Sequence, residues 1–313
     1  MSWPELPGWI EEDHLGALAA LGAACRTPVQ GLSGPCAELR ARPPASDAEA
    51  RALFERWFQP ERIAGQGLLT AYFSPVYEAS DAPAPPFTAP VRPRPAAAAG
   101  TDALDRAAID ALPADDALAW MRPEDLFFLQ VQGSGVLVLP DGRRLKAAAV
   151  ATNGLAFVGI ARPMREQGLL ADTDTSGEAI RAWLAAHRGP EADAVMQLNP
   201  RYVFFALKPD DGADPPGAAG IPLPPGRAIA VDRARHALGE LFWIDASAPV
   251  LRGARPSYRR VAAALDVGGA ITGEIRADLY LGRGDAAGRE AGRVRHLLTL
   301  YRLRPLAAAA GRP

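Results

Sequence analysis

The stretch LDVGGAITGEIRADLYLGRGD, residues 265 to 285, is the part of this chain that most restricts its fold. It combines apolar runs with glycines and contains three aspartates, Asp266, Asp278 and Asp285. The short apolar run Val261–Leu265 predicts a buried strand that ends at Asp266. The following Gly268–Gly269 pair allows a turn, or a close backbone approach, that side chains would prevent.

A second strand is predicted from Ile271 to Leu281. Side chains alternate across a strand, so one face would carry Ile275, Ala277 and Leu279, and the other Arg276, Asp278 and Tyr280. This pattern places a carboxylate between an arginine and a tyrosine, away from the apolar face, where a chemically useful acid is expected. Aspartates beside glycines are also common turn formers, so a purely structural role for all three stays open.

The two motifs D-V-G-G-A-I-T-G (266–273) and R-A-D-L-Y (276–280) resemble the three-aspartate domain of the membrane-bound lytic murein transglycosylase A family. Further blocks resemble that family in the same order, from about residue 5 to residue 305: T-A-Y-F-S-P-V (70–76), Q-G-S-G (132–135), Asn153-Gly154, N-P-R-Y-V-F-F-A-L (199–207) and V-D-R-A-R-H-A-L-G (231–239). Ala71 and Ala237 depart from the residues usual in the family, and both departures concern turn chemistry.

The resemblance implies a mainly β fold with a few helices. It is a double-psi β-barrel built from residues 1–75 and 216–313, with the three-aspartate domain at about 228–305. A smaller β-rich domain, 76–215, would be inserted into it, with a substrate groove between the two. Composition alone indicates less: 30 glycines and 30 prolines favour a turn-rich, β-rich chain, and 313 residues suffice for two domains.

Local patterns predict several elements. Ser46 with Glu49 three residues later forms a capping-box pattern, and Asp141-Gly142 joins two β-rich runs as in a hairpin. Helices are predicted over 8–26, 46–59 and 176–187, strands over 68–80 (broken at Pro75), 199–207 and 294–303, and loops or linkers over 81–116 and 210–226. The segment 228–244 resembles the strand, the Asp-Arg pair and the turn that open the three-aspartate domain of the family.

Charge and motif content exclude several classes of function. Charged residues make up 22% of the chain and the net charge is −2, which suggests neither nucleic acid nor an acidic membrane surface as a partner. The four histidines lack metal-ligand spacing, and no G-x-S-x-G elbow, phosphate loop or dinucleotide fingerprint is present. No metal or cofactor is therefore expected.

The N-terminal region shows no export signal. The run Leu15–Cys25 is too short to span a bilayer and follows acidic residues, while a signal peptide needs a positive n-region. Gly22-Ala23-Ala24-Cys25 faintly resembles a lipoprotein cleavage site, but an amphipathic helix fits better. The family resemblance implies a location in the cell envelope, on the periplasmic side and associated with the outer membrane.

Cys25 and Cys36 are the only cysteines, and the residues alone leave a disulfide and two free thiols equally open. A disulfide is favoured only in an oxidising compartment. The envelope location implied by the resemblance therefore favours the bridge.

Glycoside cleavage needs a carboxyl group that is neutral near neutral pH, which a dry pocket or a neighbouring carboxylate provides. A lytic transglycosylase needs no second carboxylate, because the C6 hydroxyl of the substrate itself attacks the anomeric carbon. The resemblance implies that Asp278 is the catalytic acid and then base, supported by Asp266 and Asp285.

The expected partner is the glycan strand of peptidoglycan, with cell-wall synthesis proteins as further candidates. The candidate substrate-binding residues are Thr70, Tyr72, Gln132, Gly133, Ser134, Gly135, Gly268, Gly269, Ala270 and Tyr280. Simple packing between domains is an equal alternative for the segments 70–72 and 132–135.

Two other functions stay open at this point. An ordinary glycoside hydrolase would use Asp266 and Asp278 as a pair, and the sequence does not reveal the separation of their carboxyl groups. A non-catalytic module that binds the cell wall would use the same fold without chemistry.

Overall fold

The computed structural model describes residues 2–95, 104–171, 174–251 and 253–306. Its helices are α1 (His14–Ala24), α2 (Ser33–Ala41), α3 (Asp47–Trp57), α4 (Arg106–Asp110), α5 (Pro123–Gln132), α6 (Ala161–Glu166), α7 (Gly177–Ala186), α8 (Pro190–Gln197) and α9 (Gly284–Ala291). Its strands are β1 (Phe58–Arg62), β2 (Gly67–Ser74), β3 (Val76–Glu78), β4 (Ala89–Val91), β5 (Ala119–Met121), β6 (Ser134–Val138), β7 (Arg144–Thr152), β8 (Val203–Pro209), β9 (Ala228–Val231), β10 (Leu241–Pro249), β11 (Tyr258–Val267), β12 (Arg276–Arg283) and β13 (Arg295–Pro305).

The chain divides into two compact units. The barrel unit consists of Met1–Phe73, Pro216–Gly282 and Ala286–Pro313, and the insert unit of Ser74–Pro215 and Arg283–Asp285. The assignment of these units as a catalytic domain and an inserted domain, with the boundaries given above, stays a prediction.

Six strands of the barrel unit form a closed barrel in the order β13-β10-β11-β9-β12-β2, and β2 pairs again with β13. Neighbouring strands are antiparallel in every register described except that of β9 with β11. Strand β1 extends the sheet by pairing with the C-terminal half of β13. This barrel, in a chain that is mainly β, confirms the predicted fold class.

The barrel interior is an apolar cluster to which all six strands contribute. Leu69 of β2 and both Ala277 and Leu279 of β12 belong to it and are fully buried. Because side chains alternate along a strand, Arg276 and Asp278 lie on the outer face of the barrel. The predicted alternation in this strand is therefore confirmed.

Helices α1, α2 and α3 pack on the outside of the barrel, around Trp9 and Trp243. Ser46 caps α3 by accepting a hydrogen bond from the Glu49 backbone N–H, as predicted. The prediction that α1 is amphipathic is wrong, because its exposed positions also hold apolar residues such as Leu15. Within the described residues, none of the helices combines the length and apolarity that crossing a bilayer requires.

The insert unit contains a four-stranded sheet, β3-β6-β7-β8, and a two-stranded sheet, β4-β5. The hairpin predicted at Asp141-Gly142 is confirmed: Gly142 has a φ of +84°, and the Asp141 carboxylate accepts a hydrogen bond from the Arg143 backbone N–H. Helices α5 to α8 bury apolar side chains around Met164 and Leu184.

Several sequence-based boundaries were wrong. The segment 81–116, predicted to be a loop, contains β4 and α4, and β4 is stabilised by pairing with the distant β5. The strand predicted over 199–207 begins only at Val203. In the region 228–244, the strand and turn implied by the resemblance are β9 and the residues that follow it, before β10 begins at Leu241. Strands β1 and β5 and helices α2, α5, α6, α8 and α9 were not predicted.

Cys25 and Cys36 form a disulfide that joins the end of α1 to α2, with their Cα atoms 5.6 Å apart. The bridge closes a short loop in the layer of helices that covers the barrel, and Cys36 is buried in that layer. It therefore restrains the unfolded chain in a region that contributes many residues to the core.

We predict that replacing both cysteines with serine lowers the free energy of unfolding by about 3 kcal/mol, the loop-closure value for about 11 residues. Urea unfolding followed by tryptophan fluorescence measures the change, with the wild-type protein in reducing agent as the matched control. An unchanged urea midpoint would show that the bridge does not stabilise the native fold.

Candidate active site

Asp278 lies on the outer face of β12, where β2 and β9 are its neighbouring strands. Its carboxylate oxygen Oδ1 accepts a short hydrogen bond from the Thr70 hydroxyl. The Arg276 guanidinium donates to the same hydroxyl oxygen at 2.9 Å and to the backbone carbonyl of Ala277 at 2.6 Å. Thr70 therefore connects the acid to a cation that the backbone holds in place.

The pKa of the Asp278 carboxyl is raised above its ordinary value, chiefly because burial disfavours the charged form. The hydrogen bond from Thr70 and the charge of Arg276 lower the pKa, and the nearby Asp266 raises it further. The net effect favours a carboxyl group that still holds its proton when ordinary aspartates have lost theirs.

Asp266 follows an irregularity in β11, where the register with β9 shifts between Ala264 and Asp266. Its Oδ1 accepts hydrogen bonds from the backbone N–H groups of Ala218 and Val267, each at 2.9 Å. Its Oδ2 accepts a hydrogen bond from the Tyr72 hydroxyl at 2.7 Å. Three donors thus hold this carboxylate in one orientation.

Tyr72 lies beside both aspartates on the outer face of β2. Burial, and then the charge of Asp266, raise the pKa of its phenol well above the ordinary value, so Tyr72 stays a hydrogen-bond donor. Its ring packs against Tyr280 with 5.3 Å between ring centroids. Tyr280 itself is fully buried, so the prediction that it contacts substrate directly is wrong, and its role is to pack against Tyr72.

The glycine-rich connection after Asp266 forms a turn in which the Ile271 backbone N–H donates to the Gly268 carbonyl at 2.9 Å. A Cβ atom on Gly268 would lie 2.7 Å from Cγ1 of Ile271, so this position has no room for a side chain. Gly269 and Ala270 are exposed beside it and accessible to a ligand.

The sequence analysis missed Asp232 as a site residue. Strand β9 lies between β11 and β12, so that its Ala230 pairs in register with both Asp266 and Asp278. Asp232 comes two residues later and accepts hydrogen bonds from the backbone N–H groups of Gly273 (2.7 Å) and Ala234 (2.9 Å). These bonds, the one from Gly273 first, lower its pKa.

Asp232 therefore ties the end of the central strand β9 to the loop that joins the two other aspartates. The available signal was an aspartate placed directly after the apolar run Ala228–Val231. Its role depends on a contact with Gly273, 41 residues away, and a local pattern does not show such a contact.

Asp285, the third aspartate singled out from the sequence, belongs to the insert unit. It is exposed in the first turn of α9, a position where an acidic residue interacts favourably with the helix dipole. Among the described residues no hydrogen bond to its carboxylate is found. We therefore propose Asp232, and not Asp285, as the third aspartate of the site.

The segment 132–135 lies in the insert unit, where it forms the connection between α5 and β6. Gly133 ends α5 with a φ of +76°, and Ser134 begins β6. A Cβ atom on Gly135 would lie 2.6 Å from Cδ1 of Leu129. These are structural reasons for both glycines, and a contact between Gln132–Gly135 and glycan stays a prediction.

Metal chemistry has no evident site in the part of the chain that the structure describes, where no three His, Cys, Asp or Glu side chains are grouped to hold an ion. The surroundings of Asp278 suit proton transfer, because burial raises the pKa of its carboxyl group.

Two family models match the chain, the "MltA specific insert domain" over residues 68–206 and the "3D domain" over residues 227–304. A solved lytic transglycosylase, LtgG of Burkholderia pseudomallei, is 32% identical with a TM-score of 0.71, and the match covers 98% of this chain and 95% of that one. A membrane-bound lytic murein transglycosylase from Agrobacterium tumefaciens is also 32% identical, with a TM-score of 0.83 and coverage of 97% and 96%.

The chain belongs to the membrane-bound lytic murein transglycosylase A family. Its matches to curated members cover less of their length. The Vibrio cholerae protein is 33% identical over 252 residues, 76% of this chain and 66% of that protein. The Escherichia coli protein is 35% identical over 179 residues, 55% and 47% of the two chains. The chain thus spans less than two thirds of these relatives, both of which are named as membrane-bound.

The structure of one family member, the Escherichia coli protein, has been solved with bound chitohexaose. It is 25% identical to this chain with a TM-score of 0.77, and the match covers 94% of this chain and 90% of that one. A glycan is therefore a ligand of at least one protein with this fold.

We predict that Asp278→Asn makes the protein more stable at pH 7. The carboxyl pKa is raised in the folded state, so the folded protein holds a proton that the unfolded chain releases above about pH 4. Stability is therefore lost as pH rises through the folded pKa, and asparagine avoids that loss.

The measurement is urea unfolding at several pH values. Asp285→Asn is the matched control, because it also removes one carboxylate, but an exposed one. The advantage of Asp278→Asn should disappear as pH falls below about 4. An advantage that is the same at every pH would contradict the raised pKa.

Proposed function

We propose that this chain is a lytic transglycosylase that cleaves the β-1,4 bond between MurNAc and GlcNAc in peptidoglycan and leaves 1,6-anhydroMurNAc ends. The observation that carries the proposal is Asp278, a carboxyl group with a raised pKa, on the outer face of the barrel. The names of the relatives, all lytic murein transglycosylases, support the same reaction.

The reaction needs one carboxyl group in two roles. Protonated Asp278 donates its proton to the glycosidic oxygen while the bond from that oxygen to C1 of MurNAc breaks, and GlcNAc leaves with a free 4-hydroxyl group. The Asp278 carboxylate then accepts the proton of the MurNAc C6 hydroxyl, whose oxygen bonds to C1. The 1,6-anhydro ring closes, no water is consumed, and Asp278 is protonated again.

The surroundings of Asp278 suit both roles. Burial raises the pKa of the resting carboxyl, which favours the protonated form that the acid step requires. The Thr70 hydroxyl and the Arg276 guanidinium then stabilise the carboxylate that remains after proton donation. Without these partners the carboxylate would take the proton back too readily, and Asp278 would be a poor proton donor.

The hydrogen bonds of Asp266 favour this mechanism over the two-carboxylate hydrolase. A hydrolytic base or nucleophile needs an accessible oxygen that can approach water or the anomeric carbon. Both oxygens of Asp266 already accept bonds, from Ala218, Val267 and Tyr72. We propose that Asp266 fixes the glycine turn and Tyr72, and that it raises the Asp278 pKa.

The bound glycan strand would contact the outer face of the barrel at Thr70, Tyr72, Gly268, Gly269 and Ala270. We place the protein in the cell envelope on the periplasmic side, where peptidoglycan lies, and associated with the outer membrane. The description of its relatives as membrane-bound supports this location.

The first test is mass spectrometry of soluble fragments that the protein releases from purified murein sacculi. We expect muropeptides one water lighter than hydrolysis products, because ring closure replaces the attack of water. Hydrated reducing ends would instead establish the hydrolase, and no release by a folded protein would favour the binding module.

Asp278→Asn should lower the rate of fragment release by a factor of about 10² to 10⁴, the usual contribution of a general acid–base residue. Asp285→Asn is the matched control and should retain nearly full activity. Comparable losses in the two variants would remove the basis for assigning the acid to Asp278.

Asp232→Ala should lower the turnover number about tenfold or more while KM changes less, since its contact with Gly273 holds the loop between the two aspartates and does not reach substrate. Asp232→Asn keeps an acceptor oxygen and should recover part of the rate. A change in KM alone would mean that Asp232 acts in glycan binding.

A further inference from the structure

Arg295, the first residue of β13, lies beside Thr70, the hydrogen-bond partner of the proposed catalytic acid. It pairs directly with Thr70 of β2 where these two strands close the barrel. Directly paired residues in an antiparallel sheet project to the same face. The Thr70 hydroxyl reaches Asp278 on the outer face, so Arg295 projects on that face too.

Arg295 places a positive charge at the surface of β13. Its side chain is exposed, and among the described residues no hydrogen bond or salt bridge of its guanidinium is found. The other two arginines of the same strand are both engaged: Arg302 with Glu240, and Arg304 with Gln59 and Glu61.

A second cation lies close to Arg295. The pKa of the Arg276 guanidinium is lowered, first by burial, and the charge of Arg295 lowers it further. When Asp278 is protonated, as the acid step requires, Arg276 loses the favourable interaction with its negative charge. Two like charges on one face disfavour each other, and a bound anion would relieve this repulsion.

The surface next to Arg295 is apolar. Leu297, two residues along β13 and on the same face, is 41% exposed, and it pairs with the half-buried Leu68 of β2. A guanidinium beside two leucines suits an anionic group attached to an apolar carbon framework better than it suits a free inorganic ion.

We propose that Arg295, assisted by the field of Arg276, binds a carboxylate on the lactyl substituent of MurNAc and thereby selects acidic glycan strands over neutral ones. The inference rests on the proposed function and names the substrate class for that same site. Two sources carry this chemistry: the free lactyl carboxylate of peptide-free strands and the carboxylates of the stem peptide.

The experiment compares the wild-type protein with Arg295→Gln on three substrates: peptide-free strands, peptide-bearing strands, and peptide-free strands whose carboxylates are converted to methylamides. Loss of a charge-assisted contact should raise KM for the acidic strands about tenfold or more and change kcat little. Arg295→Lys, which keeps the charge, should recover part of the affinity.

Arg304→Gln is the matched control. It removes the same charge from the same strand, nine residues further on and on the opposite face. We expect its KM values to stay within about twofold of wild type, because an exposed ion pair contributes little.

The methylamide strands lack the carboxylates and therefore test the contact between Arg295 and a carboxylate alone. They should bind the wild-type protein about as weakly as the acidic strands bind Arg295→Gln, and the two changes together should add nothing further. An effect confined to peptide-free strands identifies the lactyl carboxylate, and one confined to peptide-bearing strands identifies the stem peptide.

Equal KM values for acidic and methylamide strands in the wild-type protein would overturn the proposal while leaving the transglycosylase activity intact. If the wild-type protein released no fragments at all, the proposed function would fail instead. Equilibrium titration of the same strands against Asp278→Asn and its Arg295→Gln double variant then still decides whether a carboxylate contacts Arg295.

Discussion

One extra residue in β11 determines on which side of the barrel wall Asp266 lies. The register of β11 with β9 advances by one residue between Ala264 and Asp266, which makes Leu265 the inserted residue. Ala262 and Ala264 face the barrel interior, and regular alternation would point Asp266 there as well. A carboxylate in that apolar interior would lose its hydration without compensation. The bulge turns it outward instead, to Tyr72 and two backbone N–H groups.

The same separation of faces organises the rest of the site. The interior cluster consists of aliphatic and aromatic side chains, with the buried His296 packed against its Tyr258. The polar side chains that carry chemistry occupy alternating outer positions of β2 and β12. Short strands in one closed wall bring Thr70 within hydrogen-bonding distance of Asp278, although 208 residues separate them in the chain. The barrel therefore stabilises a fixed constellation of charges without burying any of them in its core.

Features that depend on neighbouring residues could be predicted from the sequence. Alternation in β12, the Ser46 cap and the Asp141-Gly142 turn each follow from residues within a few positions of one another. Features that depend on pairing between distant segments of the chain could not be predicted. Strand β1 exists because it pairs with β13, and β4 because it pairs with β5. The proposal of Asp232 in place of Asp285 depends on such a distant contact too, since only the fold places Asp232 next to the loop before Asp278.

The acid itself depends on a balance of opposing effects. Burial raises the pKa of Asp278, whereas Thr70 and Arg276 lower it, and a tenfold change in the ratio of the two protonation states corresponds to only about 1.4 kcal/mol. A single charge placed nearby is enough to alter that ratio. An anion held at Arg295 would offset part of the positive field around Arg276 and so favour the protonated acid while substrate is bound. Recognition of an acidic strand and readiness of the acid would then be two results of one electrostatic interaction.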